Sequence, residues 1–245
     1  MDWLFDKEKR VVTKILERDN LIRRPPVANI SQAIIVTSLT CPEFSTNLID
    51  KLLIELEFNK IKPFICITKK DLVDNTKYEE FKEAINYYQK IGYKVFYNTE
   101  QEKIKRLFKN NITVLVGQTG AGKSTLLNRL VPELNLKVGE VSMALGRGRH
   151  TTRHVEIYEL FHGMLLDTPG FSSLDFDNMT KEEVRDSFIE FKKFPCRYHD
   201  CLHINEGECK VKEAVSKGLI AKFRYDNYLS LVSKALDNKD KYKRK

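Results

Sequence analysis

The stretch VLVGQTGAGKSTLLNRL constrains the fold more than any other part of this chain. An apolar run ends at Val116, and the loop from Gly117 to Ser124 fits the pattern G-x-x-x-x-G-K-[ST]. A chance match in a chain of this length has odds of about one in a hundred. Glycines let backbone N–H groups close around phosphate oxygens, and a helix N-terminus favours negative charge. The sequence therefore predicts a strand, a phosphate-binding loop and a helix over residues 124–130.

Within this loop, Lys123 is expected to reach the β- and γ-phosphates and Ser124 to ligate Mg²⁺. A glycine turn without a ligand is the alternative, and it has little weight. The loop alone does not distinguish ATP from GTP. The residues predicted to bind the nucleotide here are Gly117, Gln118, Thr119, Gly120, Ala121, Gly122, Lys123, Ser124 and Thr125.

A second motif, Thr68-Lys69-Lys70-Asp71, ends an earlier β-branched run. A carboxylate such as that of Asp71 accepts hydrogen bonds from guanine N1–H and the 2-amino group, whereas adenine offers neither donor. Lys69 would lie along the base, and Thr68, shorter than the commoner asparagine, would tie this loop to the phosphate loop. A charged turn is the alternative. Together the two motifs predict GTP or GDP as the ligand, with Thr68, Lys69, Lys70 and Asp71 also among the residues that bind it.

The motif DTPG follows the apolar run 164–166 and supplies a third element. Asp167 would hold Mg²⁺ through water, and the Gly170 N–H would sense the γ-phosphate. The segment GRGRHTTR, residues 146–153, predicts a flexible basic loop in which Thr151 or Thr152 completes the magnesium shell. The sequence does not separate these two threonines.

Strand and helix patterns alternate, which predicts an α/β fold with a mainly parallel sheet. The predicted strands are 10–15, 33–38, 64–68, 94–97, 113–116, 155–160 and 164–166, with the last two forming a hairpin that turns at His162-Gly163. The predicted helices are 44–58, 77–91, 124–130 and 221–236. The base motif precedes the phosphate loop, and a poor match to a second base loop lies at Asn98-Thr99. We interpret this order as a circular permutation, which closely spaced surface termini permit.

Three of the five cysteines lie close together in CRYHDCLHINEGEC. The ligand set Cys196, Cys201, His203 and Cys209 offers three thiolates and one imidazole, the composition of a closed structural site for one Zn²⁺ per chain. His199 is a rival to His203, and scattered thiols are a weaker alternative. Because no ligand position is left open, zinc catalysis is not expected.

Composition limits the partners. The net charge of +8, from 42 basic and 34 acidic residues, favours a polyanion such as nucleic acid, although the terminal KDKYKRK is equally well explained as a solvated tail. No apolar run is long enough to span a membrane and no secretory signal follows Met1, so we expect a cytoplasmic protein without a membrane partner. Cys41 and Cys66 adjoin apolar runs and are expected to be inert core residues.

Taken together, the motifs resemble the RsgA (YjeQ/YloQ) family of circularly permuted GTPases, bacterial factors that act on the small ribosomal subunit. The matching segments are RPPVAN at 24–29, TKKD at 68–71, GQTGAGKST at 117–125, GRGRHTT at 146–152, DTPGF at 167–171 and the four metal ligands at 196–209. The resemblance covers nearly the whole chain.

The resemblance implies three units. Residues 1–27 would be a truncated remnant of an OB-fold with a linker, 28–178 the circularly permuted GTPase domain and 179–245 a helical zinc-binding domain. Pro25-Pro26 marks the first junction. Only about the last strands of an OB-fold are expected, in RVVTKILERDNLIRRPP, which puts its contribution to ribosome docking in doubt.

The resemblance also implies a monomer that binds the late-maturing small (30S) ribosomal subunit and its rRNA in the GTP form. Contact would accelerate hydrolysis, and the GDP form would leave. No glutamine closely follows Gly170, so we expect slow intrinsic turnover and take His150 as the catalytic candidate that positions water. Equally, His150 would only steady its loop or contact RNA. Arg147, Arg149 and Arg153 would contact rRNA or the transition state, and the sequence does not rank these roles.

Two other functions stay open. In an ATP-dependent P-loop ATPase or kinase, Asp71 would be incidental. In a zinc-bearing RNA-binding protein, the nucleotide would be a stability cofactor and no hydrolysis would occur.

Overall fold

The computed structural model describes residues 3–6, 11–15, 17–22, 27–134, 156–167 and 179–235. The strands are β1 (Trp3–Asp6), β2 (Val11–Ile15), β3 (Leu21–Ile22), β4 (Val27–Ala28), β5 (Gln32–Ser38), β6 (Lys62–Thr68), β7 (Lys94–Tyr97), β8 (Ile112–Val116), β9 (Glu156–Leu160) and β10 (Gly163–Asp167). The α-helices are α1 (Thr46–Phe58), α2 (Asn75–Ile91), α3 (Gln101–Phe108), α4 (Lys123–Leu130), α5 (Lys181–Asp186), α6 (Lys210–Ser216) and α7 (Lys222–Val232). Short 3₁₀ turns cover Lys70–Leu72, Pro132–Leu134 and Ile189–Lys193.

Six strands form the central sheet in the order β7-β6-β5-β8-β10-β9. Neighbouring strands are parallel except at the β10–β9 hairpin, which confirms the predicted α/β fold with a mainly parallel sheet. Every residue of β5 is buried, as expected for a central strand covered on both faces. Because parallel strands end at one edge, the loops after β5, β6, β8 and β10 share that edge.

Apolar side chains cover both faces of this sheet. On one face α1 and α2 contribute residues such as Leu52 and Tyr88, and on the other α3 and α4 contribute Phe108 and Leu127. A third cluster gathers residues from 179–235 and includes Ile54 of α1, so the C-terminal unit packs directly on the sheet's own helix layer. The proposed boundaries 1–27, 28–178 and 179–245 stay predictions, as does the OB-fold origin of the β1–β2 pair.

Helix ends follow capping residues that periodicity alone does not locate. The Ser45 hydroxyl accepts a hydrogen bond from Leu48 N at 3.3 Å, so α1 begins at Thr46 rather than at 44. The Asp74 carboxylate accepts one from Lys77 N at 2.8 Å, so α2 begins at Asn75. Helix α3 was not predicted, whereas α5 and α6 lie in the C-terminal region that was predicted to be helical without bounds for these two helices.

Two sequence expectations were wrong. The β9–β10 hairpin turns at Phe161-His162, both with positive φ, rather than at His162-Gly163. Gly163 is a glycine for another reason, because a Cβ there would lie 1.8 Å from the carbonyl oxygen of Phe108. Cys66 is buried in β6 as expected, but Cys41 is exposed because the chain has already left the sheet there.

None of the helices in the described part of the chain has the length and apolar character that crossing a bilayer requires.

Candidate nucleotide site and metal centre

The phosphate loop connects β8 to α4 at the shared edge of the sheet. Gly117 has φ 139°, and a Cβ on it would lie 2.1 Å from the carbonyl oxygen of Val36, so only glycine fits this approach to β5. Lys123 curls back over its own loop, where Nζ donates to the carbonyls of Gly117 at 2.6 Å and Gln118 at 2.7 Å. These bonds hold the ammonium at the mouth of the loop, where phosphate oxygens would compete for it.

Thr68 joins the base motif to the phosphate loop. Its Oγ1 donates to the carbonyl of Ala121 at 2.6 Å, and the residue is only 2% exposed. A Cβ added to Gly122 would lie 3.5 Å from Thr68 Oγ1, so the two loops approach each other closely at Gly122 as well. The threonine arm, although shorter than that of asparagine, therefore reaches the phosphate loop directly.

The remaining residues of the tetrapeptide divide into two that bind protein and one that does not. Lys69 has φ 57° and donates from Nζ to the carbonyl of Cys41. Lys70 places its Nζ 4.0 Å from the ring centre of Tyr78. Asp71 is exposed and has no hydrogen-bond or ion-pair partner among the described residues. Its carboxylate is therefore available to a ligand at the same edge as the phosphate loop.

The other predicted residues fall partly within the described chain. Ser124 is buried in the first turn of α4. Asp167 ends β10, which runs parallel to β8, so it lies on the same edge of the sheet. The predicted residues that lie outside the described part of the chain are Arg147, Arg149, His150, Thr151, Thr152, Arg153 and Gly170.

The structure brings the four predicted metal ligands together, with their ligand atoms all within 4.8 Å of one another. The distances from His203 Nδ1 to the three sulfurs are 3.5 Å for Cys196, 3.2 Å for Cys201 and 3.3 Å for Cys209. Tetrahedral Zn²⁺ with ordinary bond lengths needs S···N separations of about 3.6 Å. The donor set and its spacing therefore fit zinc. His199, the rival ligand, is exposed and outside this group.

The surroundings of the cluster also suit a cation. Burial raises the pKa of the Cys201 thiol to about 12, a cost that a bound divalent cation removes by stabilising the thiolate. Burial lowers the pKa of His203, which favours the neutral imidazole that metals bind. The backbone N–H of Lys210 donates to the Cys196 sulfur at 3.3 Å, and that of Lys212 to Cys209 at 3.5 Å.

A profile of the RsgA GTPase family matches residues 15–177. The chain belongs to the RsgA GTPase family. A relative from Pediococcus pentosaceus, named small ribosomal subunit biogenesis GTPase RsgA, is 44% identical over 242 residues, which are 96% of this chain and 78% of the relative. The protein of that name from Enterococcus faecalis is 43% identical over 239 residues, 96% of this chain and 80% of its own.

Solved structures agree with this assignment. The structure of YloQ, described as a circularly permuted GTPase, is 35% identical with a TM-score of 0.76, covering 96% of this chain and 76% of YloQ. YjeQ from Thermotoga maritima is 34% identical with a TM-score of 0.79, covering 94% of this chain and 80% of YjeQ. The permuted motif order seen in this RsgA family member is thus that of a known fold.

A buried ionic cluster, which the sequence analysis missed, joins the metal-binding unit to the GTPase sheet. The Arg224 guanidinium on α7 is fully buried and binds Glu190 through two nitrogens, at 2.7 and 3.0 Å. A third nitrogen donates to Asp50 on α1 at 2.5 Å. Asp50 also accepts from Tyr88 and Asn227, both at 2.6 Å. The available signal was that Asp50 shares a helix face with Leu53 and Ile54, where a charge needs a buried partner.

Helix α7 therefore has two sets of contacts. While Arg224 and Asn227 bind α1, the hydroxyl of Tyr225 donates to the carbonyl of His203 at 2.6 Å and that of Tyr228 to the carbonyl of Leu202. In this RsgA family member, α7 thus connects the loop that carries the metal ligands to α1, the helix between β5 and β6.

Proposed function

We propose that this chain is a GTPase that binds the small ribosomal subunit, acts late in its assembly and hydrolyses GTP to GDP and phosphate faster on the subunit. Family membership supports the activity, and the names of relatives at 43–44% identity support the partner. One observation carries the choice of nucleotide. In the base motif Thr68 and Lys69 are anchored to other loops, while the Asp71 carboxylate is exposed and unpaired among the described residues.

Each residue then has a chemical task. Asp71 accepts hydrogen bonds from guanine, and the backbone N–H groups of residues 117–123 bind phosphate oxygens. Lys123 exchanges its bonds to loop carbonyls for bonds to phosphate. Ser124, Asp167 through water, and Thr151 or Thr152 would hold Mg²⁺, and the bound ion would neutralise charge on the phosphates.

Two further roles complete the site. The Gly170 N–H senses the γ-phosphate, and His150 positions the attacking water. The cluster of Cys196, Cys201, His203 and Cys209 holds one structural Zn²⁺, whose four protein ligands leave no position for a substrate. The net charge of +8 supports contact with rRNA, and we propose a cytoplasmic monomer as the acting form.

The decisive experiment measures GTP turnover with and without purified small ribosomal subunits. We expect slow turnover alone, a stimulation of at least tenfold by the subunits, and loss of both in Lys123→Ala. A zinc-bearing RNA-binding protein would bind the subunit without any increase in turnover. An ATPase would bind ATP at least as tightly as GTP in a competition titration. Either result would overturn the proposal.

The base contact is tested by Asp71→Asn. Xanthine carries a carbonyl where guanine carries its 2-amino group, and an asparagine amide can donate to that carbonyl. We expect the variant to bind GDP at least tenfold more weakly and xanthosine diphosphate more tightly than the unmodified chain does. Asp74→Asn, three residues away, is the matched control because asparagine caps a helix as well as aspartate. Unchanged GDP affinity in Asp71→Asn would show that this carboxylate does not bind the base.

A further inference from the structure

Lys70 lies over two tyrosine rings that come from different elements. Its Nζ is 4.0 Å from the ring centre of Tyr78 and 5.0 Å from that of Tyr97. The two tyrosine hydroxyls are hydrogen-bonded to each other at 2.6 Å. We call these three residues the tyrosine box. Although Lys70 is exposed, its ammonium group makes cation–π contacts with both tyrosine rings, whose hydroxyls hold each other in place.

We call the edge of the sheet where β5, β6, β8 and β10 end the nucleotide edge, since it carries the phosphate loop and the base motif. The tyrosine box connects three elements at this edge. Lys70 stands directly before Asp71, in the 3₁₀ turn Lys70–Leu72. Tyr78 lies in the first turns of α2, and Tyr97 is the last residue of β7, directly before the candidate second base loop at Asn98-Thr99. The Asn98 N–H donates to the carbonyl of Ile67 at 3.0 Å, so the start of the candidate second base loop is bonded to β6 just before the base motif.

The attraction within the box does not depend on an ion pair. Burial, with help from the Tyr78 bond, raises the pKa of Tyr97, so its hydroxyl is neutral at ordinary pH. Lys70 is therefore held by the ring faces, while the hydroxyl pair fixes the angle between them. Such an arrangement restricts a lysine that would otherwise be free in solvent.

The box matters because it is one of the few contacts that position the turn carrying Asp71. The side chain of Asp71 has no partner among the described residues, so its position depends on the turn that carries it. Thr68 anchors the start of that turn to the phosphate loop, and Lys69 anchors it to the carbonyl of Cys41. Lys70 anchors the turn to α2 and β7 through the rings of Tyr78 and Tyr97. A carboxylate must be held within a narrow range to accept two hydrogen bonds from one base.

We propose that Lys70, Tyr78 and Tyr97 form a positioning device that fixes Asp71 for guanine and so sets the selectivity of the site for that base. This inference rests on the proposed function, because it requires Asp71 to bind the base. In this proposal Lys70, predicted from the motif to bind the nucleotide, acts together with the two tyrosines through the turn that carries Asp71. Loss of the box should weaken recognition of the base while leaving phosphate binding intact.

The test compares GDP with inosine diphosphate, which keeps the N1–H but lacks the 2-amino group, so Asp71 accepts one hydrogen bond from it instead of two. We expect Lys70→Ala to bind GDP about three- to tenfold more weakly and inosine diphosphate more weakly by a smaller factor, so that the ratio of the two affinities narrows. Lys70→Arg should restore the ratio, because a guanidinium also stacks on aromatic rings. Lys90→Ala is the matched control, since Lys90 Nζ lies 6.0 Å from the Tyr87 ring at the far end of α2.

A second variant separates the rings from their hydroxyls. Tyr78→Phe combined with Tyr97→Phe keeps both ring faces but removes the hydroxyl pair. This double variant should narrow the ratio of GDP affinity to inosine diphosphate affinity by a smaller factor than Lys70→Ala does. Thermal unfolding and zinc content should match the unmodified chain in every variant.

The outcomes separate the two proposals. An unmodified chain that does not prefer GDP to inosine diphosphate would contradict the guanine contact itself. A chain that prefers GDP by the same ratio with and without Lys70 would overturn the tyrosine box alone. Equal weakening of both nucleotides in Lys70→Ala would also overturn it, because that result indicates a general loss of structure.

Discussion

The nucleotide edge joins loops that are far apart in the sequence, whereas the metal ligands fall within one short segment. The Thr68–Ala121 bond links residues 53 positions apart: Thr68 ends β6, and Ala121 lies in the loop between β8 and α4. The ligands Cys196 to Cys209 lie between α5 and α6 in the sequence, and these two helices have only six and seven residues. Helices of that length are not stable on their own.

This difference indicates that the nucleotide and the metal ion have different roles. The sheet has an apolar core on each face. The C-terminal unit has short helices beside its metal ligands and packs on α1. We therefore expect the nucleotide to exchange without loss of the fold and a bound metal ion to stabilise the C-terminal unit.

The largest expected effect is on the metal side. Cys201→Ser should reduce zinc content from one ion per chain to nearly none, because structural zinc binding contributes about 10–16 kcal/mol in small metal domains. Amide hydrogen exchange should then become fast in residues 196–216 and stay slow in β5 and β6. Elemental analysis and exchange mass spectrometry measure the two effects.

Cys41→Ser is the control, since Cys41 is a free, exposed thiol outside the cluster. It should retain full zinc content and unchanged exchange. If Cys201→Ser keeps its zinc, the ligand set is wrong. If amide exchange also rises throughout the sheet, the stability of the sheet depends on the metal-binding unit.

The next largest effect tests the contact between the regions. Arg224→Met should lower the free energy of unfolding by about 3–5 kcal/mol, because Asp50 and Glu190 are left buried without their cation. Urea unfolding measures this loss. Lys222→Met on the same helix is the control: its ion pair with Asp226 is exposed and should contribute less than about 0.5 kcal/mol.

This contact also predicts a pH dependence. Burial raises the pKa of Asp50 even though Arg224 opposes the shift, and removal of Arg224 should raise it further. A carboxyl group whose folded-state pKa is raised contributes stability at low pH that is lost as the pH rises. The destabilisation by Arg224→Met should therefore be smaller at pH 5 than at pH 8. An equal loss at both values would show that Asp50 does not stay buried in the variant.

A smaller effect is expected within the nucleotide edge. Thr68→Val should cost about 1–3 kcal/mol, because it leaves the Ala121 carbonyl without its donor in a buried position. It should also weaken GDP binding, since the base and phosphate loops then move separately. Thr76→Val, at an exposed position of α2, is the control for replacing the hydroxyl. Weakened GDP binding in both variants would argue against a specific role for the Thr68 bond.

The two regions also differ in how far the sequence could predict them. The phosphate loop and the metal ligands are local patterns, so residues 117–125 and the four ligands could be identified from spacing alone. The parallel sheet followed from apolar runs such as that of β5. The neighbours that a turn acquires through the fold could not be found in this way, because Lys69 binds Cys41, and Lys70 contacts Tyr97, only after the strands align.

Buried charges were the other omission. Arg224 and Asp50 are 174 residues apart, and the sequence contains no local sign that they meet. Cys41 was misplaced for a related reason: an adjacent apolar run predicts burial, but the last buried residue of that run is Leu39 and the chain then turns outward. Long-range pairing of polar groups depends on the packed structure, which periodicity does not encode.

The smallest expected effect concerns Glu100, which supports the end of β7 beside the tyrosine box. Its carboxylate forms an ion pair with Lys103 at 2.5 Å and accepts from the Tyr97 N–H at 2.8 Å, and these contacts lower its pKa. A carboxylate with a lowered folded-state pKa contributes stability above its ordinary pKa, and that stability is lost as the pH falls through the folded value. Glu100→Gln should thus shift the urea midpoint slightly at pH 7 and not at pH 2. Among the described residues, Glu102 has an ion pair with Lys105 but accepts no backbone hydrogen bond. Glu102→Gln should therefore show a smaller shift of the urea midpoint at pH 7. Equal shifts for both variants would mean that the backbone bond to Tyr97 adds nothing to the ion pair.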